Sequence, residues 1–260
     1  MKRITVVGRG MDPAKHLTLD AIRALRQADV VIGIEPEIEA WATLKQDFGV
    51  PDIQDVGYLY KNGAKDEDNY ANFIKHILSV SETYQNTVLV VAGHPRLGVT
   101  FAQMLSQEKN LDCEIRFIEG LSSFDVMLND LAMDPLERGT AIWDVNRALL
   151  FEYKMEPSTN YFLYHVCSVG NSSTNFQDAS EGNQLVALQN YLLKFYSPEK
   201  SIYLCKASNG EKHSAEYTAV LIKDLVQNGS LIDFGTTLLV PAENPTHINR
   251  EFLNTLRGAV

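Results

Sequence analysis

Val88-Leu89-Val90-Val91-Ala92-Gly93-His94-Pro95-Arg96-Leu97-Gly98-Val99-Thr100 decides the fold class of this chain. A continuous apolar run stops at a Gly-His-Pro turn. A strand buried on both faces of a parallel sheet ends in this way, with its carboxyl end delivered to a ligand crevice. The same grammar returns in Ile115-Arg116-Phe117-Ile118-Glu119-Gly120-Leu121-Ser122-Ser123-Phe124, where an extended segment breaks at Gly120 and two serines open a helix. The two turns together predict a binding site along one sheet edge.

Outward from these turns, strand and helix patterns alternate through the first half. Ile4 to Gly8 reads as a buried strand, and Leu17 to Ala28 as a helix with Thr18 able to cap it and Asp20 in its first turn. Val30 to Gly33 is the next strand, followed by a helix over Glu37 to Gln46, a short strand over Ile53 to Val56 and a long helix over Asn69 to Val80. Alternation of this kind requires crossovers and predicts a parallel, helix-flanked sheet. The second half predicts strands over Phe162 to Cys167, Ser201 to Cys205 and Thr236 to Pro241, with amphipathic helices over Gln184 to Phe195 and Tyr217 to Gln227. Ser168 to Gly182, rich in Ser, Asn and Gly, reads as a long exposed loop of the sort that is often functional. A change of texture near Gly120 divides the chain into an N-terminal α/β domain over 1–119 and a C-terminal α/β domain over 120–260.

Composition narrows the function. The chain has 260 residues, 45% of them hydrophobic, enough to bury a core without metal or disulfide. A net charge of -10 argues against nucleic acid as the main partner, because phosphate binding needs a concentrated basic surface. Cys113, Cys167 and Cys205 lie mostly in apolar runs, as free thiols of a reducing cytoplasm do, and no Cys or His spacing suits zinc. Met1-Lys2-Arg3 leads straight into a strand and no apolar run is long enough to span a membrane, so a cytoplasmic location is expected.

Individual signals have competing readings. Gly8-Arg9-Gly10 lacks the third glycine of a dinucleotide fingerprint, and Met11-Asp12-Pro13 stands where its helix should start. A lone histidine is more often structural than functional, yet His94 sits between Gly93 and Pro95 at a strand end, which favours a site. His165, in an apolar strand pattern, reads equally as a satisfied core histidine. Ser122 has no G-x-S-x-G elbow around it and reads as a helix cap, a position from which it can still hold a ligand at the helix N-terminus.

Taken in order, these segments resemble the tetrapyrrole methylase superfamily, whose members use S-adenosylmethionine. The resemblance rests on Val6-Val7-Gly8-Arg9-Gly10-Met11-Asp12-Pro13, Leu17-Thr18-Leu19-Asp20-Ala21, Ala28-Asp29-Val30-Val31, the Gly93-His94-Pro95 turn, Glu119-Gly120-Leu121-Ser122-Ser123 (where the family usually has Pro-Gly-x-Ser) and Gly235 to Pro241. It implies two α/β domains with the cofactor in the cleft between them, and a homodimer. It places Gly93, His94, Pro95, Leu97, Val99, Ser122, Ser123, His165, Thr236 and Thr237 against the cofactor. Within the superfamily, Asp130 to Pro135, Tyr164 to Gly170 and Tyr58-Leu59-Tyr60-Lys61-Asn62-Gly63 with Tyr70 are most similar to borosin-type methyltransferases, which methylate backbone amides of a ribosomal peptide. That likeness implies catalytic roles for Tyr58, Tyr60 and Tyr70. The family's arginine is absent, with Asp66 near its place and Lys65 beside it.

The chemistry accounts for the residue types. A sulfonium makes the methyl electrophilic already, so an enzyme has chiefly to align the partners and exclude water. An amide nitrogen is a poor nucleophile until it loses its proton or its resonance, and tyrosines can serve as base or as donor to the carbonyl oxygen. With an ordinary pKa of about 10, a tyrosine base needs a nearby cation, which Lys61 or Lys65 would have to provide. Packing at a helix start is the equally available structural role for these tyrosines. The expected function is S-adenosylmethionine-dependent methylation of backbone amides in a separate precursor peptide, since Pro241 to Val260 resembles no attached acceptor. The alternatives are methylation of a tetrapyrrole or other small acceptor, and a non-catalytic cofactor- or partner-binding module.

Overall fold

A computed structural model describes residues 2–13, 15–34, 38–109, 111–209 and 213–258. Its first sheet contains β1 (Lys2–Gly8), β2 (Val30–Gly33), β3 (Ile53–Asp55), β4 (Asn86–Val91) and β5 (Cys113–Ile118) in the order β3-β2-β4-β1-β5, every pairing parallel. Three helices lie between these strands along the chain, α1 (Leu19–Arg26), α2 (Ile38–Phe48) and α3 (Asp66–Thr83), and α4 (Thr100–Leu105) precedes β5. β4 shows why the apolar run is unbroken. Leu89 and Val91 pack with Phe73 and Ile77 of α3, while Val88 and Val90 pack on the other face with Leu25 of α1 and Leu44 of α2. Each such side chain, removed from water, stabilises the fold by about 1.5–3 kcal/mol. Thr18 caps α1 by accepting the Ala21 N–H at 3.1 Å, as the sequence predicts. Glu37, where the second helix was expected to begin, lies outside the described residues.

Between Ile118 and Ser123 the chain leaves this sheet. α5 (Ser123–Asp130) packs instead on the second sheet, where Met127 is buried with Phe162 and the Phe124 and Phe162 rings meet edge to face at 5.1 Å. That sheet holds β6 (Thr140–Asp144), β7 (Asn160–Tyr164), β8 (Ser201–Lys206), β9 (Glu216–Leu221) and β10 (Thr236–Val240) in the order β6-β7-β10-β8-β9. β6 and β7 are parallel, and the remaining pairs antiparallel. α6 (Val145–Leu150) and α7 (Leu185–Leu192) cover its other face, and α8 (Arg250–Leu256), capped by Asn249, ends the described chain.

Two sequence expectations are corrected here and one strand is added. Residues 217–227 do not form a helix: Glu216–Leu221 pairs antiparallel with β8, and only a short 3-10 turn, Ile222–Asp224, follows. The apolar spacing imitates a helix, but pairing along β8 decides the conformation. β6 was not anticipated. The strand over Phe162 ends at Tyr164, so His165 stands outside it. Among the described residues, no helix is long and apolar enough to cross a membrane.

Candidate functional site

β1 runs between β4 and β5, so the loops that follow all three strands leave from one edge. They are pinched together by glycines. Gly93 has φ +64° and exchanges two backbone hydrogen bonds with Gly10, at 3.0 and 3.2 Å. A Cβ on Gly120 would stand 2.5 Å from the carbonyl oxygens of both Gly8 and Gly93, so no side chain fits there. Ser122 is committed to a capping box: its hydroxyl accepts the Asp125 N–H at 3.2 Å and its own N–H donates to Asp125 at 2.7 Å. Ser123 is freer, with its hydroxyl 3.1 Å from that of Tyr164. Burial pushes Tyr164 up to about 12, against hydrogen bonds with Ser123 and Thr237 that pull it down.

The other expected cofactor contacts occupy different places. His94 spends Nδ1 on the Arg96 N–H at 3.1 Å, which shapes its own turn. Pro95 is buried in that turn, and Leu97 N–H closes it on the His94 carbonyl at 3.0 Å. Val99 packs on the α3 side of the parallel sheet. Thr236 is turned to Asp233, to which its hydroxyl donates at 2.9 Å, and Thr237 lies buried beside it in β10.

A cavity of about 840 Å³ opens next to this edge and is walled by both halves of the chain. Tyr70, Gly98 and Thr100 face it from the first half, and Asp144, His165, residues 167–172 and Thr174 from the second. The parallel register of β6 and β7 sets Asp144 opposite Tyr164, at the strand ends. His165 then takes φ 62° and ψ 32°, a left-handed conformation that costs a non-glycine residue roughly 1–2 kcal/mol. The bend brings its Nδ1 to 2.6 Å from Asp144 Oδ2. Burial alone would raise the Asp144 carboxyl, but the hydrogen bonds from His165 and from the Arg147 N–H outweigh it and hold the group below the usual carboxylate range.

Asp66, the first residue of α3, organises the opposite wall. Its carboxylate accepts the Tyr60 hydroxyl at 2.6 Å, the Thr174 N–H at 3.1 Å and the Thr174 hydroxyl at 2.8 Å. Ser172 accepts the Asp66 N–H at 2.8 Å, Asn62 accepts the Phe176 N–H at 3.1 Å, and the Tyr60 and Phe176 rings meet at 4.6 Å. The expected loop over 168–182 is therefore a strap, fastened across to α3 and forming part of the cavity wall. Asn146 pins its start, donating to the Ser168 carbonyl at 3.0 Å and accepting the Gly170 N–H at 2.7 Å.

Of the three expected catalytic tyrosines, only Tyr70 lines the cavity. Tyr60 stands behind Asp66, and Tyr58 is 71% exposed and apart from both. Burial, then the hydrogen bond to Asp66 and that residue's charge, push Tyr60 well above the ordinary tyrosine range. Burial and Asp66 push Tyr70 up to about 12, against a hydrogen bond with Thr100. Both side chains are phenols, suited to donate and not to act as phenolate bases. Burial likewise raises Cys167, which lines the cavity as a thiol. The lining contains the carboxylates of Asp66 and Asp144 and no Lys or Arg among the described residues.

Asp144 and the organising role of Asp66 escaped the sequence analysis. A signal for Asp144 exists, since Ile142-Trp143-Asp144-Val145 repeats the strand-then-cap grammar of the two turns already noted. For Asp66 the partner is Thr174, 108 positions away, and no local pattern carries it.

Residues 3–150 match the family model "Tetrapyrrole (Corrin/Porphyrin) Methylases". The chain belongs to that family. Curated relatives of this tetrapyrrole methylase include a "Methyltransferase/ribosomally synthesized type I borosin cyclic peptide precursor" of Coprinopsis marcescibilis, 26% identical over 99% of this chain and 67% of the relative. A type II borosin counterpart from Phlebiopsis gigantea is 23% identical over 95% of this chain and 44% of the relative. The chain spans less than half the length of most of the curated relatives it matches. Uroporphyrin-III-C-methyltransferase from Thermus thermophilus shares the fold, with a TM-score of 0.63, 15% identity and 92% of each chain covered.

Proposed function

We propose that this tetrapyrrole methylase is an S-adenosylmethionine-dependent methyltransferase acting on backbone amide nitrogens of a ribosomal peptide supplied as a separate chain. The observation that carries the reading is the cavity: about 840 Å³, toward the upper end of what small-ligand sites enclose, with two carboxylates and no cation among its described lining residues. Such a wall favours a sulfonium cation. It offers no counterion to the peripheral carboxylates of a porphyrin-type ring, which weighs against the tetrapyrrole alternative. The printed names of the borosin relatives, each a methyltransferase joined to a peptide precursor, support the peptide. The resemblance likewise supports a homodimer.

When bound, S-adenosylmethionine supplies an electrophilic methyl on a sulfonium. Gly93 and Ser123, with Thr237 joined to Ser123 through Tyr164, are assigned to hold it at the glycine-pinched strand edge, and the family resemblance adds His94, Pro95, Leu97, Val99, Ser122 and Thr236. Tyr70, kept as a phenol, is assigned to donate to the acceptor carbonyl oxygen, a bond that strengthens as charge develops there. Tyr60 fixes Asp66, and with it the strap.

Calorimetry with S-adenosylhomocysteine, followed by intact mass spectrometry of the protein mixed with cofactor and candidate peptides, tests the proposal. Binding and peptide mass gains in whole methylene increments, located on backbone nitrogens by fragmentation, are expected. Binding without transfer to any acceptor would support the non-catalytic module. Failure to bind at high micromolar ligand, where a nucleotide does bind, overturns the cofactor assignment.

A further inference from the structure

Resting on methyl transfer to an amide as proposed above, we infer that His165, oriented by Asp144, is the base that removes the amide proton. The side chains first expected in that role are unsuited to it, since Tyr60 already donates to Asp66 at 2.6 Å and Tyr70 faces the same carboxylate. His165 is placed differently. Asp144 Oδ2 can only accept, so the 2.6 Å contact puts a proton on Nδ1, and in the neutral ring the lone pair is then on Nε2. Nε2 is directed at Gly98, 3.5 Å from where a Cβ on that residue would stand, and both residues line the cavity. Glycine leaves open the space in front of the nitrogen.

The left-handed backbone of His165 fits this purpose. Strain retained at a cavity wall is a sign that the position is over-determined by its surroundings, and here it turns a ring that would otherwise continue β7 onto the end of β6. Asp144 is itself fixed, its Oδ1 accepting the Arg147 N–H at 2.8 Å as the cap of α6. A carboxylate so held orients the imidazole and stabilises the imidazolium formed when the proton arrives. In the step, His165 Nε2 takes the proton from the amide nitrogen as that nitrogen bonds the methyl carbon. The carbon–sulfur bond breaks with its electron pair left on sulfur, and the imidazolium afterwards releases its proton to water. Among the described residues, the other titratable groups facing the cavity are Asp66 and Tyr70 from α3 and Cys167 from the turn of His165 itself.

Two variants separate a base from a merely structural histidine. His165→Gly suits φ 62° without strain and leaves a hole that exogenous imidazole can enter. Asp144→Asn keeps a good helix cap but presents an amide N–H to the ring, which moves the ring proton to Nε2. Both are expected to slow methylation about 100-fold or more, the range of general-base catalysis, with S-adenosylhomocysteine affinity within threefold of the parent. Imidazole should restore the His165→Gly rate in proportion to its neutral fraction. A parent protein that methylates no amide refutes the activity on which the inference rests. A parent that does so, with His165→Gly within threefold of its rate, or slowed without imidazole rescue and with ligand affinity lost, overturns the base and leaves the activity standing.

Discussion

Replacing Asp66 by Ala removes two hydrogen bonds that fasten the strap, from the N–H and the hydroxyl of Thr174, and a third, from Tyr60 on its own side of the cavity. A hydrogen bond to a charged group contributes about 1.5–3 kcal/mol, but Asp66 is only half-buried and water replaces part of each. Taking about 1 kcal/mol per bond, the strap loses about 2 kcal/mol, and at 1.4 kcal/mol per tenfold its open fraction rises about 30-fold. The Asp66–Ser172 and Asn62–Phe176 bonds remain, so the loss is local and the core is untouched. Hydrogen exchange read by mass spectrometry should accelerate about 30-fold over peptides covering 170–178, while the thermal midpoint moves little. Asp66→Asn, which keeps an acceptor for Tyr60 and the Thr174 N–H, should show a smaller effect. Asp66→Arg should behave like Ala, because a guanidinium cannot accept from any of the three donors. Unchanged strap exchange in Asp66→Ala, or a fall in global stability as large as the local one, would refute this account of the wall.

Burial and Asp66 raise Tyr70 to about 12, so a difference absorbance titration of the parent against Tyr70→Phe should find that phenol un-ionised at pH 10. The fold favours the neutral form, so its contribution to stability is present below about 10 and is lost as pH rises through about 12; an ordinary titration would refute it. Gly120→Ala would force a Cβ to 2.5 Å from two backbone oxygens, and the urea midpoint should fall by the equivalent of about 2–3 kcal/mol without a change in slope. An unchanged midpoint would show that the glycine contacts are not constraining.

The first sheet was legible because both its faces are covered. Val88 and Leu89 must both be apolar when α1 and α3 lie on opposite sides, and no alternative structure explains that run. The second sheet was only partly legible. β6 is five residues long and mostly half-exposed, and β9 is an edge strand with Glu216, Thr218 and Ala219 exposed, so its apolar positions are set by long-range pairing. At the site, the glycine-pinched turns and Tyr70 stood out in the sequence. The His165–Asp144 pair did not, since nothing in Tyr164-His165-Val166 announces a left-handed backbone, and the carboxylate that completes it ends a strand that was not foreseen.

Between residues 170 and 178 the strap is held mostly by carboxylate, amide and hydroxyl groups, with Phe176, against the Tyr60 and Phe234 rings, its main apolar contact. Hydrating polar groups lowers heat capacity slightly, whereas exposing apolar surface raises it, by about 12–15 cal/mol/K per residue net for a whole domain. Detaching the strap therefore has a nearly temperature-independent enthalpy and a shallow response to urea, while unfolding of the two sheets has neither. Access to the cavity is thermally decoupled from the stability of the fold that frames it: cooling or mild denaturant shifts the core's balance and leaves the wall's opening almost where it was.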